Sequence, residues 1–177
     1  MSLLRTKHLL FFTFIASKDY NLKILKIILF IASFSLLLFS NGMFFNDSTM
    51  HKIYIDKGKY NFLYQIPIVI YSTVITAVIN AILKQLGLSE KDIIRIKQKK
   101  SAEKLDKLIK NVYNCMLIKF GLFFAITYIL MIFFWFFITC FCCIYKNTQI
   151  ILIEDTLMSF ATSMMYPFGL NLIPGLF

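Results

Sequence analysis

Hydrophobic positions fall in four long blocks: residues 27–45, 66–83, 120–145 and 156–177, none of which contains a charged side chain. Polar and basic residues are confined to the stretches between and before them. About 20 apolar residues in helical form cross a hydrocarbon core roughly 30 Å thick. The pattern therefore predicts an all-α fold: an integral membrane bundle of four spans. A transmembrane barrel needs alternating apolar and polar residues, and these blocks do not alternate. Lipid offers backbone groups no partner, which favours helices.

The blocks divide the chain into a basic amino-terminal interfacial segment (1–26), span one (27–45), an outer loop (46–65), span two (66–83), a basic amphipathic segment (84–119), span three (120–145), a short outer linker (146–155) and span four (156–177). Within the first segment, the apolar patch at 9–16 is too short for a span and reads as resting in the membrane interface. Lys23 and Lys26 stand where long basic side chains snorkel at the start of span one. Pro67 is expected in the first turn of span two, where proline costs least. Span three is rich in aromatic residues, including the single Trp135, and its rings read as lipid-facing bulk. Span four is interrupted by Pro167, Gly169, Pro174 and Gly175 and carries Asn171, so a kinked or re-entrant course is expected.

Composition agrees with this reading. Of 177 residues, 59% are hydrophobic and 16% charged, against roughly 25% charged in soluble domains. The net charge of +10 sits beside membrane spans, so it reads as a topology signal and not as a nucleic-acid surface. The amino-terminal segment and the 84–119 segment hold five and ten Lys or Arg; the 46–65 and 146–155 segments hold three and one. The positive-inside rule places the amino terminus and residues 84–119 in the cytoplasm. The sequon Asn46-Asp47-Ser48 then falls on the outer side, which makes Asn46 a candidate glycosylation site.

Three groups of residues are candidate sites. Ser72, Thr76 and Asn80 recur every four residues and share one helical face. Such a stripe in lipid faces another helix or lines a pore. Arg95, Lys97, Lys99 and Lys100 form the centre of the basic run and are candidates for contact with anionic lipid. In the same segment Ser89 and Asp92 spell a capping box, and Leu105, Leu108, Ile109 and Val112 lie on one face of an amphipathic helix. Glu154 and Asp155 are adjacent, so on a helix they point in different directions. They read as an interfacial cap on span four, or as a vestibule that attracts cations.

No catalytic constellation is legible, and no enzyme activity, cofactor or metal is expected. The two histidines, His8 and His51, are far apart, and no phosphate-binding glycine loop or nucleophile elbow is present. Cys115, Cys140, Cys142 and Cys143 lack zinc-site spacing and read as small packing residues.

Several local strings go further: residues 45–54 (FFNDSTMHKIY without its first Phe), Tyr64-Gln65-Ile66-Pro67, Tyr145-Lys146-Asn147-Thr148-Gln149, Asp155-Thr156-Leu157 and Tyr166-Pro167-Phe168-Gly169. Over most of residues 7–177 the chain resembles a carboxy-terminal multi-pass segment of protist membrane proteins, some of them long surface proteins. That resemblance implies location and no particular chemistry. In such segments basic residues continue past the equivalent of Ile173-Pro174-Gly175-Leu176-Phe177, so a partial product is expected here. The function these features suggest is a membrane anchor or assembly module of a larger surface protein or complex. Its partners would be the bilayer and other membrane helices or further copies of the chain. The alternative is a small ion channel or transporter using Ser72, Thr76 and Asn80 with Glu154 and Asp155. A third reading is a lipid-binding protein acting through residues 95–110.

Overall fold

The computed structural model describes residues 13, 20–57, 59, 62–97, 105–146 and 148–172. Six helices follow in chain order: α1 (Lys23–Phe44), α2 (Asp47–Ile55), α3 (Phe62–Gly87), α4 (Glu90–Lys97), α5 (Leu105–Ile144) and α6 (Gln149–Leu172). No strand occurs among the described residues. Three helical segments are long and apolar enough to cross a membrane: Lys23–Phe44, Leu63–Gly87 and Ile109–Ile144. Among the described residues α6 does not join them. Its apolar run is diluted by Glu154, Asp155, Thr156, Ser159, Thr162 and Ser163.

Helix α1 is the hub. It packs against α3, α5 and α6, while α3 also packs against both α5 and α6. The pair α1–α3 is thus flanked by α5 on one side and α6 on the other. Ala32, Ser33, Ser40 and Gly42 on α1 are all buried, and residues this small let helices approach closely. At Gly42 an added Cβ would lie 3.2 Å from Phe137 Cε1. Towards the α4 end of the bundle, Leu25, Leu29, Ala32, Leu83 and Phe123 form an apolar core. Towards the α2 end, Phe45, Ile53, Ile138, Phe141, Ile151 and Leu152 form a second one.

Several boundaries differ from those the sequence suggests. The 46–65 loop contains α2, which Asn46 caps by accepting the Thr49 amide at 2.9 Å. Helix α3 starts at Phe62, so Pro67 lies inside it and not in its first turn. Proline there supplies no amide to the carbonyl four residues back. The separate amphipathic helix expected over 105–112 is instead the first part of α5, a single helix of 40 residues. At 1.5 Å per residue it is about 60 Å long, well beyond a bilayer core. The 146–155 linker shortens to a turn, because α6 begins at Gln149. Thr148 Oγ1 donates to the Tyr145 carbonyl at 2.7 Å and Gln149 Nε2 to the Cys142 carbonyl at 3.2 Å, which fixes that turn.

At the other end, Asn21 Oδ1 accepts the amides of Ser89 (3.0 Å) and Glu90 (3.1 Å) and so caps α4 from a distant part of the chain. The capping box spelled by Ser89 and Asp92 gives way to this tertiary cap. Asp92 pairs with Lys119 of α5 at 2.9 Å, and the same ammonium donates to the Leu88 carbonyl at 3.2 Å. Lys23 is exposed, as snorkelling requires, but Lys26 is buried by protein and does not reach the surface. The 9–16 patch, apart from Thr13, and residues 173–177 lie outside the described residues.

Candidate functional site: a polar seam along the central helix pair

The two flanks of the α1–α3 pair differ in chemistry. On the α5 side, Leu29, Leu83 and Phe123 meet in an apolar core. Further along, the rings of Phe133, Phe134 and Phe137, packed tilted or edge-on against Phe39, continue it. A cavity of about 330 Å³ on this side is walled by apolar side chains including Leu36, Met43 and Ile79, with Ser40 the one polar residue among its described walls.

The α6 side combines an aromatic contact, Phe160 edge-on to Phe30 and Phe34 of α1, with a buried polar group. Asn41 on α1 is fully buried, and its Nδ2 donates to Thr156 Oγ1 at 3.3 Å and Ser159 Oγ at 3.2 Å. Ser159 returns a bond to Asn41 Oδ1, also at 3.2 Å. Thr156 satisfies its own proton by donating to the Leu152 carbonyl at 2.7 Å, so its lone pairs face Asn41. Asp155 is fully buried too. It stands one helical turn before Ser159 and so shares that residue's face. Glu154, next to it, is only half-buried. The adjacent acids are therefore split, one inside the bundle and one near its surface. Helix α6 starts six residues before Asp155, so the pair does not cap it. The helix-capping expectation is corrected: Asp155 belongs to the interior of the bundle.

The stripe on α3 faces inward. Asn80 Nδ2 donates to Ser33 Oγ on α1, and Thr76 Oγ1 donates to Ser40 Oγ at 3.4 Å. Ser72 is fully buried and donates to the Ile68 carbonyl at 2.7 Å. Two turns before Ser72 on the same face is Gln65, which is 2% exposed. Its Oε1 is buried with no hydrogen-bond partner, as is Asn80 Oδ1 and, on α5, Thr127 Oγ1.

The remaining candidates lie elsewhere. Lys97 Nζ donates to the Tyr20 hydroxyl at 2.6 Å and lies 4.0 Å from the centre of that ring. Arg95 belongs to α4, but its side chain, and all of Lys99 and Lys100, fall outside the described residues. Asn46 is exposed at the start of α2, where its Oδ1 accepts from Thr49 N, Thr49 Oγ1 and Ser48 Oγ. Cys115, Cys140, Cys142 and Cys143 are free thiols along α5. No group of three or more His, Cys, Asp or Glu suited to a metal occurs among the described residues.

Sequence reasoning missed Asn41, Gln65, Thr156 and Ser159. The signal was present in Asn41, an amide inside an otherwise apolar block. Its partners sit 115 and 118 residues away, so no local pattern joins them. Compared with known proteins, the chain matches no protein family, no curated protein and no solved structure.

Proposed function

We propose that this chain is a four-span membrane module, amino terminus in the cytoplasm, that anchors or assembles a larger surface protein or complex. The observation carrying this reading is that the polar groups of the spans are turned onto one another. Asn80 bonds Ser33, Thr76 bonds Ser40, and Asn41 bonds Thr156 and Ser159. Polar contacts of this kind hold membrane helices together. In the same reading α6 completes the bundle as a fourth span, its acid and hydroxyls sheltered against α1 and α3. The outward faces of α3 and α5 are large and apolar, with Tyr71, Val78, Tyr128, Ile129, Trp135 and Phe136 all more than half exposed. They suit lipid or neighbouring helices.

An antibody against residues 90–110 tests the proposal on the endogenous protein. The expected result is a band much larger than 20.7 kDa, or a large complex on a native gel. A free 20.7 kDa chain that conducts ions by itself would overturn it. A glycosylation reporter inserted at 90–110 is expected to stay unmodified, and its modification would reverse the topology.

A further inference from the structure

We propose that the cavity between α1, α3 and α5 is a binding site for one acyl chain of a bilayer lipid. The inference rests on the membrane location of these helices and not on the anchoring role. The cavity holds about 330 Å³, inside the range of roughly 300 to 1,000 Å³ common for small-molecule sites. Its floor is Leu36 and Ser40 of α1 and Phe134 of α5, all buried. Phe39, Ile79 and Leu130 form half-buried walls. Met43, Ile75 and Phe133 are exposed, so the cavity opens between them onto the outer surface of the bundle.

What covers that opening follows from its depth. The three helices that build the cavity are those long and apolar enough to cross a membrane. Ile75 lies 13 residues after Phe62 and 12 before Gly87, the two ends of α3. At 1.5 Å per residue it is about 18 to 20 Å from either end. The opening therefore faces the middle of a hydrocarbon core roughly 30 Å thick. At that depth a lipid presents its acyl chain and not its headgroup.

The walls suit hydrocarbon. Ser40 is the one polar residue among the described walls, and its Oγ already accepts from Thr76. A buried water needs about two to four polar partners, and an apolar cavity of about 150 Å³ stays dry and takes up benzene. A chain arriving from lipid gains nothing from leaving water. Its gain is dispersion contact, which atoms lining an empty void forfeit.

The test uses the full chain in phosphatidylcholine nanodiscs, with one copy or several per disc. A fraction of the lipid carries a photoreactive diazirine near the end of one acyl chain, and labelled residues are read by mass spectrometry. The expected result is labelling of Phe39, Ile79 and Leu130 inside the cavity, besides that of Phe136 on the outer face. Ile79→Phe fills the space and is expected to cut labelling of Phe39 and Leu130 several-fold while Phe136 is unchanged. Val78→Phe, on the neighbouring outward face, should leave all of them labelled. Should Ile79→Phe fail to fold by circular dichroism, Leu130→Phe from the opposite wall decides, read at Phe39. Labelling of Phe136 without Phe39, or labelling of Phe39 that the filling variant does not reduce, overturns the site. Labelling of Phe39 that disappears in discs with several copies would assign the opening to a second copy instead. Labelling at neither Phe39 nor Phe136 would mean that the helices do not lie in lipid, and the membrane reading would fall with the site.

Discussion

The hydroxyl of Ser159 meets both ends of the Asn41 side-chain amide, 3.2 Å from Nδ2 and 3.2 Å from Oδ1. With the Asn41–Thr156 bond, this contact joins α1 to α6. It lies next in sequence to neither residue's own helix partners, and both residues are fully buried. The docking of α6 on the bundle therefore turns on a polar match and not on hydrophobicity alone.

Replacing Asn41 by Ala is expected to loosen α6. At roughly 0.6 kcal/mol for each intramembrane hydrogen bond, the loss is about 1 to 2 kcal/mol. Cysteine crosslinking between α1 and α6 should fall while crosslinking between α1 and α3 is unchanged. Unchanged crosslinking at α6 would show that the amide does not hold it.

The Asn80–Ser33 contact yields to a double-mutant cycle. Asn80→Ala and Ser33→Ala should each destabilise, and the pair should show a coupling of about 0.6 kcal/mol, with about 1.7 as an upper bound. Reversible unfolding in mixed micelles measures it. Additive effects would mean that the two side chains act independently.

Two glycines make opposite predictions. A Cβ on Gly87 would come within 3.0 Å of the ring of Phe123, which is fully buried. Gly87→Ala is expected to destabilise the fold by about 1 to 3 kcal/mol through overpacking. Gly121, in the interior of α5, has nothing within 4 Å of an added Cβ. Gly121→Ala should stabilise by up to about 1 kcal/mol through helix propensity. Thermal unfolding of both variants checks the contrast.

Asn46 separates capping from modification. Asn46→Ala removes an N-cap and should cost about 1 kcal/mol. Asn46→Asp keeps the cap and removes the sequon, so its stability should match that of the unmodified wild type. If the sequon is used, both variants lose the same mass on a gel shift assay, because neither carries the Nδ2 to which the glycan attaches, whereas only Asp keeps an oxygen for the capping bonds that Oδ1 makes.

The sequence by itself determined that the chain is helical and marked four blocks as spans, of which three lie in helices long and apolar enough to cross a membrane among the described residues. That information is local: length, absence of charge and lack of alternation set the secondary structure when the solvent is lipid. It also marked Ser72, Thr76 and Asn80 as one face, since helical spacing is a property of the chain alone. Boundaries were less legible. The continuity of α5 across Lys119 and the early start of α6 at Gln149 both run through polar residues that local reading treats as ends. Tertiary structure decided the rest. It buried Asp155 and left Glu154 near the surface, because only packing chooses which side of a helix faces its neighbours. It brought Asn41 to Ser159 and Asn21 to the start of α4, contacts whose partners are far apart in the chain. The energy of a buried polar group depends on what lies opposite it, and that is fixed only when the helices come together.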